Sequence, residues 1–90
     1  MSAEPVSVLV IDPDPVVLNF IRRLAADLGY GFSGAKRAED AFRKLRTTRP
    51  DAVILRAVLP DLSSRDFVAR LREEQWAPPI LLTAQRGQEA

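Results

Sequence analysis

Polar and charged side chains follow three apolar runs in this sequence, at positions where a strand would end. Asp12 and Asp14 come after the run VSVLVI, Arg56 comes after AVIL, and Thr83 comes after ILL. In a parallel sheet the carboxyl ends of the strands share one edge, and functional side chains gather there. We therefore predict a site in which the guanidinium of Arg56 lies against the two carboxylates. The alternative is that Arg56 points into solvent.

Composition narrows the chemistry open to such a site. The 90 residues include no cysteine and no histidine, which excludes disulfides, thiolate nucleophiles, structural zinc and the usual proton shuttle near neutral pH. With 13 basic and 12 acidic residues, the charge balance does not indicate a nucleic-acid or membrane partner. The sequence shows no export signal and no apolar stretch long enough to span a membrane. We expect a cytoplasmic protein without a cofactor.

Three segments carry apolar residues at the spacing of an amphipathic helix. Asp14 and Pro15 predict the start of the first, because the carboxylate can accept from free amides and proline lacks a donor that would be unpaired there. Gly29 predicts its end. Ser63 and Asp66 resemble a capping box at the start of the third helix. The apolar positions of the second helix are Ala38, Ala41, Phe42 and Leu45.

Four apolar segments that alternate with these helices are predicted to be strands. They cover residues 6–11, 30–35, 52–55 and 80–82, and the second is a weak edge strand because it contains two glycines. Continuous apolar runs indicate a parallel sheet with helices on both faces. We interpret residues 1–90 as one three-layer α/β domain, with its core over roughly residues 6–84 and a polar tail over 85–90.

Four motifs, in order along the chain, resemble the receiver domain of bacterial response regulators, the signalling module of two-component systems. VLVIDPDP is similar to the acidic turn after the family's first strand, PDAVIL to its third strand, LPD to the following loop, and PPILLTA to its fourth strand with the signalling threonine. The resemblance implies the flavodoxin-like receiver fold with strand order 2-1-3-4. It also implies a truncated form, which lacks the last strand and the final helices.

The sequence departs from the family at the positions that carry its chemistry. In the family, a paired acidic turn and an aspartate at the end of the third strand bind Mg²⁺, and that aspartate accepts a phosphoryl group. Asp12 matches the first acidic residue, but Pro13 stands at the second and Arg56 at the phosphoacceptor position. Proline offers Mg²⁺ no side-chain oxygen, and a guanidinium stays protonated and cannot attack phosphorus. The predicted degenerate phosphorylation pocket consists of Asp12, Pro13, Asp14, Arg56 and Thr83.

Four other features have both a structural and a functional interpretation. Asp61 either closes its own turn, which is the favoured reading, or serves as a stray phosphoacceptor. Thr83 is expected to satisfy local amides rather than to act as a switch. The basic run Arg43–Arg49 is expected to be a solvated helix face rather than a contact for an acidic partner or nucleic acid. Trp76 either covers the end of the third helix or is an exposed interaction anchor.

The leading hypothesis is a non-catalytic, phosphorylation-independent protein-interaction module. Its expected partner is a second copy of the chain, and a histidine kinase or another signalling protein is a further candidate. Self-association is expected at the sheet face and edge that the absent elements leave uncovered. The candidate interface residues are Ile80, Leu81, Leu82 and Trp76. Two alternatives remain: a phosphoacceptor receiver that uses Asp12, Asp14 or Asp61, and the N-terminal piece of a larger regulator.

Overall fold

Four strands and three helices alternate along the chain in the computed structural model, which describes residues 5–74 and 78–84. The elements are β1 (Ser7–Ile11), α1 (Pro15–Leu28), β2 (Gly31–Ala35), α2 (Ala38–Thr48), β3 (Ala52–Arg56), α3 (Ser64–Glu73) and β4 (Ile80–Thr83). The predicted order and type of these elements are confirmed. None of the helices in the described ranges combines the length and the apolarity needed to cross a bilayer.

The strands form one parallel sheet in the order β2-β1-β3-β4. This confirms the strand order that the family resemblance implied. Each connection between consecutive strands passes through a helix, which is the usual crossover between strands that run in the same direction. In register, Val10 lies between Gly34 and Ile54, and Ile54 lies beside Leu81. These four residues therefore form one row on a single face of the sheet.

The hydrophobic core lies on the opposite face, where α2 and α3 pack against the central strands. The rings of Phe42 on α2 and Phe67 on α3 stack with their centroids 4.5 Å apart. Burial of a side chain of this size contributes about 1.5–3 kcal/mol to stability. The sheet residues in this cluster include Leu9, Ile11, Val53 and Leu55. This core anchors β1 and β3, whose carboxyl ends carry the candidate site.

α1 lies mainly over β1 and β2 on the other face. It begins as predicted: the carboxylate of Asp14 accepts from the amide of Val16 at 2.9 Å, and Pro15 is the first helical residue. It ends at Gly29, whose φ of 75° lies in the left-handed region that a residue without Cβ adopts readily. Ala25 is buried against the sheet, whereas Phe20 is 66 % exposed. The helix therefore carries apolar surface that the described residues do not cover.

Candidate functional site

The carboxyl ends of β1, β3 and β4 bring three predicted site residues to one edge of the sheet. Asp12 directly follows β1, and its amide donates to the carbonyl of Ala35 at 2.9 Å. Arg56 is the last residue of β3 and pairs in register with Thr83, the last residue of β4. The carbonyl of Thr83 accepts from the amide of Ala57 at 2.7 Å. The backbone ladder thus holds this part of the edge in place.

Arg56 and Asp12 form a buried ion pair at this edge. Nε and Nη2 of Arg56 both donate to Oδ2 of Asp12, at 2.9 and 2.6 Å. Arg56 is only 8 % exposed and Asp12 only 2 %, so the alternative in which Arg56 points into solvent is wrong. Two unit charges 4 Å apart attract by about 4 kcal/mol at an effective dielectric of 20. The cost of removing both charges from water offsets much of this attraction.

Asp14 does not take part in the ion pair, which corrects the prediction that Arg56 lies against both carboxylates. Its backbone amide donates to Oδ1 of Asp12 at 2.8 Å. Its carboxylate accepts instead from the amide of Val16. The free amides and the dipole at the start of α1 attract this carboxylate. Of the two acids in this turn, Asp12 therefore pairs with the buried cation and Asp14 caps the start of α1.

The residues of the site do not fit a bound Mg²⁺ ion. Mg²⁺ requires oxygen ligands in nearly octahedral geometry. Here Oδ2 of Asp12 accepts from Arg56 and Oδ1 accepts from the amide of Asp14. Pro13 has no side-chain oxygen that could bind the metal ion. Within residues 5–74 and 78–84, no group of three or more histidine, cysteine or acidic side chains is placed to hold a metal ion. Arg56 supplies positive charge where such an ion would require negative ligands.

Asp61 joins two loops, a role that the sequence interpretation missed. Its carboxylate accepts from the amides of Ala38 and Glu39 at 2.9 and 3.1 Å, so it caps the start of α2 from the loop after β3. The turn-closing reading favoured above did not predict this contact. Arg37, at the capping position of α2, makes no capping bond with its own side chain. That lack of a local cap was the one signal that an acceptor from elsewhere was needed.

The capping contacts shift the ionisation of Asp61. Partial burial favours the neutral acid and by itself raises the pKa of the carboxyl. The hydrogen bonds from Ala38 and Glu39, together with the nearby charge of Arg37, outweigh this effect, and the pKa of Asp61 lies below its ordinary value. The Nε atom of Arg37 lies 4.0 Å from Oδ2 of Asp61. The carboxylate form is thus the one that the fold stabilises.

The predicted interface residues on β4 differ in exposure. Ile80 packs partly against the core, whereas Leu81 and Leu82 are 63 % and 54 % exposed. Successive side chains alternate along a strand, so these two leucines lie on opposite faces of the sheet. Trp76 lies outside the described residues. Large exposed apolar residues also occur on α1, namely Val16, Phe20, Leu24 and Leu28.

The sheet order β2-β1-β3-β4, with helices on both faces and the acids Asp12 and Asp14 after β1, has the architecture of receiver-like α/β domains. The response regulator receiver domain family matches residues 8–90 of the sequence, and the chain belongs to this family. Receiver domains are modules of two-component signalling and interact with histidine kinases and other proteins.

Several relatives of this chain are regulators of greater length. It is 35% identical over 79 residues to the transcriptional regulatory protein TcrX of Mycobacterium tuberculosis, covering 88% of this chain and 34% of that protein. It is 33% identical over 82 residues to the response regulator MprA of Mycolicibacterium vanbaalenii, covering 91% of this chain and 36% of that protein. The chain thus spans about a third of the length of these curated relatives.

Solved structures show the same fold. The chemotaxis response regulator CheY4 of Vibrio cholerae superposes with a TM-score of 0.82 at 23% identity, over 88% of this chain and 68% of that chain. A response regulator from Chloroflexus aurantiacus superposes with a TM-score of 0.81 at 26% identity, over 88% of this chain and 66% of that chain. The arrangement of strands and helices is therefore that of a receiver domain.

Proposed function

We propose that this chain is a receiver domain that acts without phosphotransfer, as a non-catalytic protein-interaction module in the cytoplasm. The observation that carries the proposal is the buried ion pair between Arg56 and Asp12. In this proposal Arg56 replaces the phosphoacceptor aspartate, and its guanidinium takes over the charge-balancing role of the metal. No nucleic acid contact is part of the proposed activity.

The chemistry of the ion pair supports a site with a single state. A guanidinium remains protonated at every physiological pH. The positive charge next to Asp12 is therefore permanent, whereas the charges of a bound metal ion and a phosphoryl group come and go. Without a reversible change of charge, the edge of the sheet has no electrostatic reason to switch between two arrangements.

Incubation with Mg²⁺ and a small phosphodonor tests this proposal. We expect intact-protein mass spectrometry to show no added phosphoryl group. A receiver domain that the same phosphodonor is known to phosphorylate serves as the positive control. An aspartyl phosphate at Asp12, Asp14 or Asp61 would contradict the proposal and support the alternative of a receiver with a non-standard phosphoacceptor. Substitution of each of these aspartates by asparagine would then locate the acceptor.

We further infer that the partner is a second copy of the chain. The support is the apolar surface on the α1 side of the sheet, where Phe20 and Leu81 are 66 % and 63 % exposed. Exposed apolar side chains of this size are typical of interfaces. A two-fold symmetric pair would bury the same surface on both copies. Leu81 lies beside Ile54 on this face of the sheet, and Ile54 is only half-buried, so the interface would include both residues.

Sedimentation velocity over a wide range of concentration tests this inference. We expect the mass to rise from that of a monomer to that of a dimer as concentration increases. A monomer at every concentration would contradict self-association. The curated relatives are longer regulators. If this chain is likewise the N-terminal piece of a larger regulator, further parts of that protein would cover this surface. In that case a longer protein that includes this chain would remain monomeric.

A further inference from the structure

The outer edge of β2 presents unpaired backbone groups. The amide of Gly31 donates to the carbonyl of Val6 at 2.8 Å, and the carbonyl of Ala35 accepts from the amide of Asp12 at 2.9 Å. Because backbone groups alternate in direction along a strand, those of Phe32 and Gly34 point away from β1. No strand in the described part of the chain pairs with this edge.

Lys44 on α2 forms a hydrogen bond with one of these outward-facing backbone groups. Its Nζ donates to the carbonyl of Gly34, so this side chain does not lie on the solvated helix face expected for the basic run. The amides of Phe32 and Gly34 and the carbonyl of Phe32 form no hydrogen bond within residues 5–74 and 78–84. A lysine at a strand edge disfavours pairing with a strand of another molecule that lacks a complementary negative charge.

A groove of about 510 Å³ runs along this edge between α1 and α2. Its apolar floor includes Leu18 and the ring of Phe32, which lies across Gly34: a Cβ atom added at Gly34 would be 3.1 Å from Cζ of Phe32. Four cationic side chains line the groove, namely Arg22, Lys36, Arg43 and Lys44, against a single carboxylate, Asp40. Asp40 already pairs with Arg43 at 3.2 Å. The groove is therefore strongly positive although the whole chain is nearly neutral.

We propose that this groove binds an extended acidic segment of a protein partner, which adds a strand to the edge of β2. The outward-facing groups of Phe32 and Gly34 supply the main-chain hydrogen bonds of an added strand. The floor takes apolar side chains of the segment, and the cations pair with its carboxylates. A carboxylate that pairs with Lys44 would release the carbonyl of Gly34 for the added strand. The proposal does not depend on the state of the Arg56 pocket.

The backbone of the edge favours a peptide over a nucleic acid. An added strand offers both N–H donors and C=O acceptors, so it can satisfy the amide of Gly34 and both groups of Phe32. A phosphate backbone has no N–H donor for the carbonyl of Phe32. Single-stranded nucleic acids are bound through several stacked aromatic side chains, and Phe32 is the aromatic residue that lines this groove.

An NMR titration of the ¹⁵N-labelled 90-residue chain tests the proposal. The probe is a short peptide of alternating glutamate and valine with blocked ends. We expect its addition to shift the amide signals of Phe32 and Gly34 and to slow their hydrogen exchange, because both amides gain an acceptor. The same peptide with lysine in place of glutamate, and a single-stranded oligonucleotide, are the comparison probes. Absence of these shifts at millimolar peptide, or equal shifts with either comparison probe, would overturn the proposal.

Charge reversal separates specific binding in the groove from general attraction. We expect the double variant Lys36→Glu, Arg43→Glu to bind the acidic peptide at least about tenfold more weakly, since it replaces two attractive contacts by repulsive ones. The matched control is Arg65→Glu, Arg72→Glu on α3, which makes the same change in net charge outside the groove. Equal weakening in both variants would contradict a site at β2. The spread of amide signals in each variant shows whether it is folded.

Discussion

Nε and Nη2 of Arg56 share one oxygen of Asp12, a residue 44 positions earlier in the chain, in a buried ion pair at the ends of β3 and β1. The other oxygen of Asp12 accepts from the amide of Asp14. Both oxygens of a carboxylate that is almost inaccessible to solvent are thus satisfied by the protein. The loss of either charge would leave the other buried without its partner.

Arg56→Met is expected to lower the free energy of unfolding by about 3–5 kcal/mol, because it leaves Asp12 as an uncompensated buried charge. Urea denaturation at neutral pH measures this change. The double variant Asp12→Asn, Arg56→Met is expected to recover much of the loss, since neither charge remains. Arg65→Met, at an exposed position on α3, is the control and should change stability little. A loss no larger in Arg56→Met than in this control would show that the ion pair contributes nothing.

Mg²⁺ is expected to leave the melting temperature of the natural protein unchanged, because the guanidinium of Arg56 is already paired with Asp12 of the acidic turn. Arg56→Asp replaces the cation by a second carboxylate close to Asp12, which creates oxygen ligands for a divalent ion. That variant should be stabilised by about 1.4 kcal/mol when Mg²⁺ is present at ten times its dissociation constant. Thermal denaturation with and without Mg²⁺ provides the comparison, and Ca²⁺ tests selectivity. Equal stabilisation of both proteins would refute this account of Arg56.

Asp61→Asn is expected to destabilise the fold by about 1 kcal/mol at neutral pH, in the range for the loss of a helix cap. The variant keeps one acceptor oxygen but loses the charge and the second acceptor at the start of α2. Asp27→Asn on α1 is the matched control, since Asp27 is exposed. Chemical denaturation of the three proteins measures the difference. Similar losses in both variants would argue against a capping role for Asp61.

The contribution of Asp61 should also depend on pH, with a sign that follows from its lowered pKa. The carboxyl has a pKa of about 3.9 when unfolded and a lower pKa in the fold. Its charged form therefore stabilises the fold above pH 4, and this stabilisation is lost as the pH falls from about 3.9 through the folded-state pKa. The stability difference between the natural protein and Asp61→Asn should narrow over that interval. A difference that grew on acidification would contradict the assignment.

Substitutions on the two faces of β4 distinguish the proposed interface from a general increase in solubility. Leu81→Asn, on the α1 side, is expected to raise the dimer dissociation constant at least about tenfold, as the loss of a central apolar contact does. Leu82→Asn makes the same chemical change on the opposite face and should have little effect. Sedimentation velocity measures both. A larger effect of Leu82→Asn would assign the contact to the other face.

Val16→Asn and Val58→Asn extend this test to α1. Both valines are exposed, at 73 % and 51 %, but Val58 lies in the loop after β3 rather than on α1. We expect only Val16→Asn to weaken self-association, because Val16 and Phe20 are one helical turn apart and share an exposed face. Equal effects of the two substitutions would mean that total apolar surface, and not this face, drives association.

Local sequence patterns determined the elements of this protein. α1 begins at the cap formed by Asp14 and the proline after it, and it ends at the left-handed Gly29. Both ends depend on contacts within a few residues. The strands followed from short apolar runs, and the parallel sheet followed from their alternation with helices. The sequence also placed Asp12 and Arg56 at strand ends, where a parallel sheet brings side chains to one edge. These features depend on near neighbours and on periodicity, which a sequence displays directly.

Tertiary structure alone decided how the side chains at those ends are paired. Asp12 and Asp14 lie at almost the same distance from Arg56 along the sequence, but only the fold directs one carboxylate to the guanidinium and the other to the start of α1. Asp61 caps a helix that begins 23 positions earlier, and Lys44 crosses to the edge of β2. Each of these pairings depends on the relative position of elements that are far apart in the chain, because a charged side chain can satisfy any of several partners within reach.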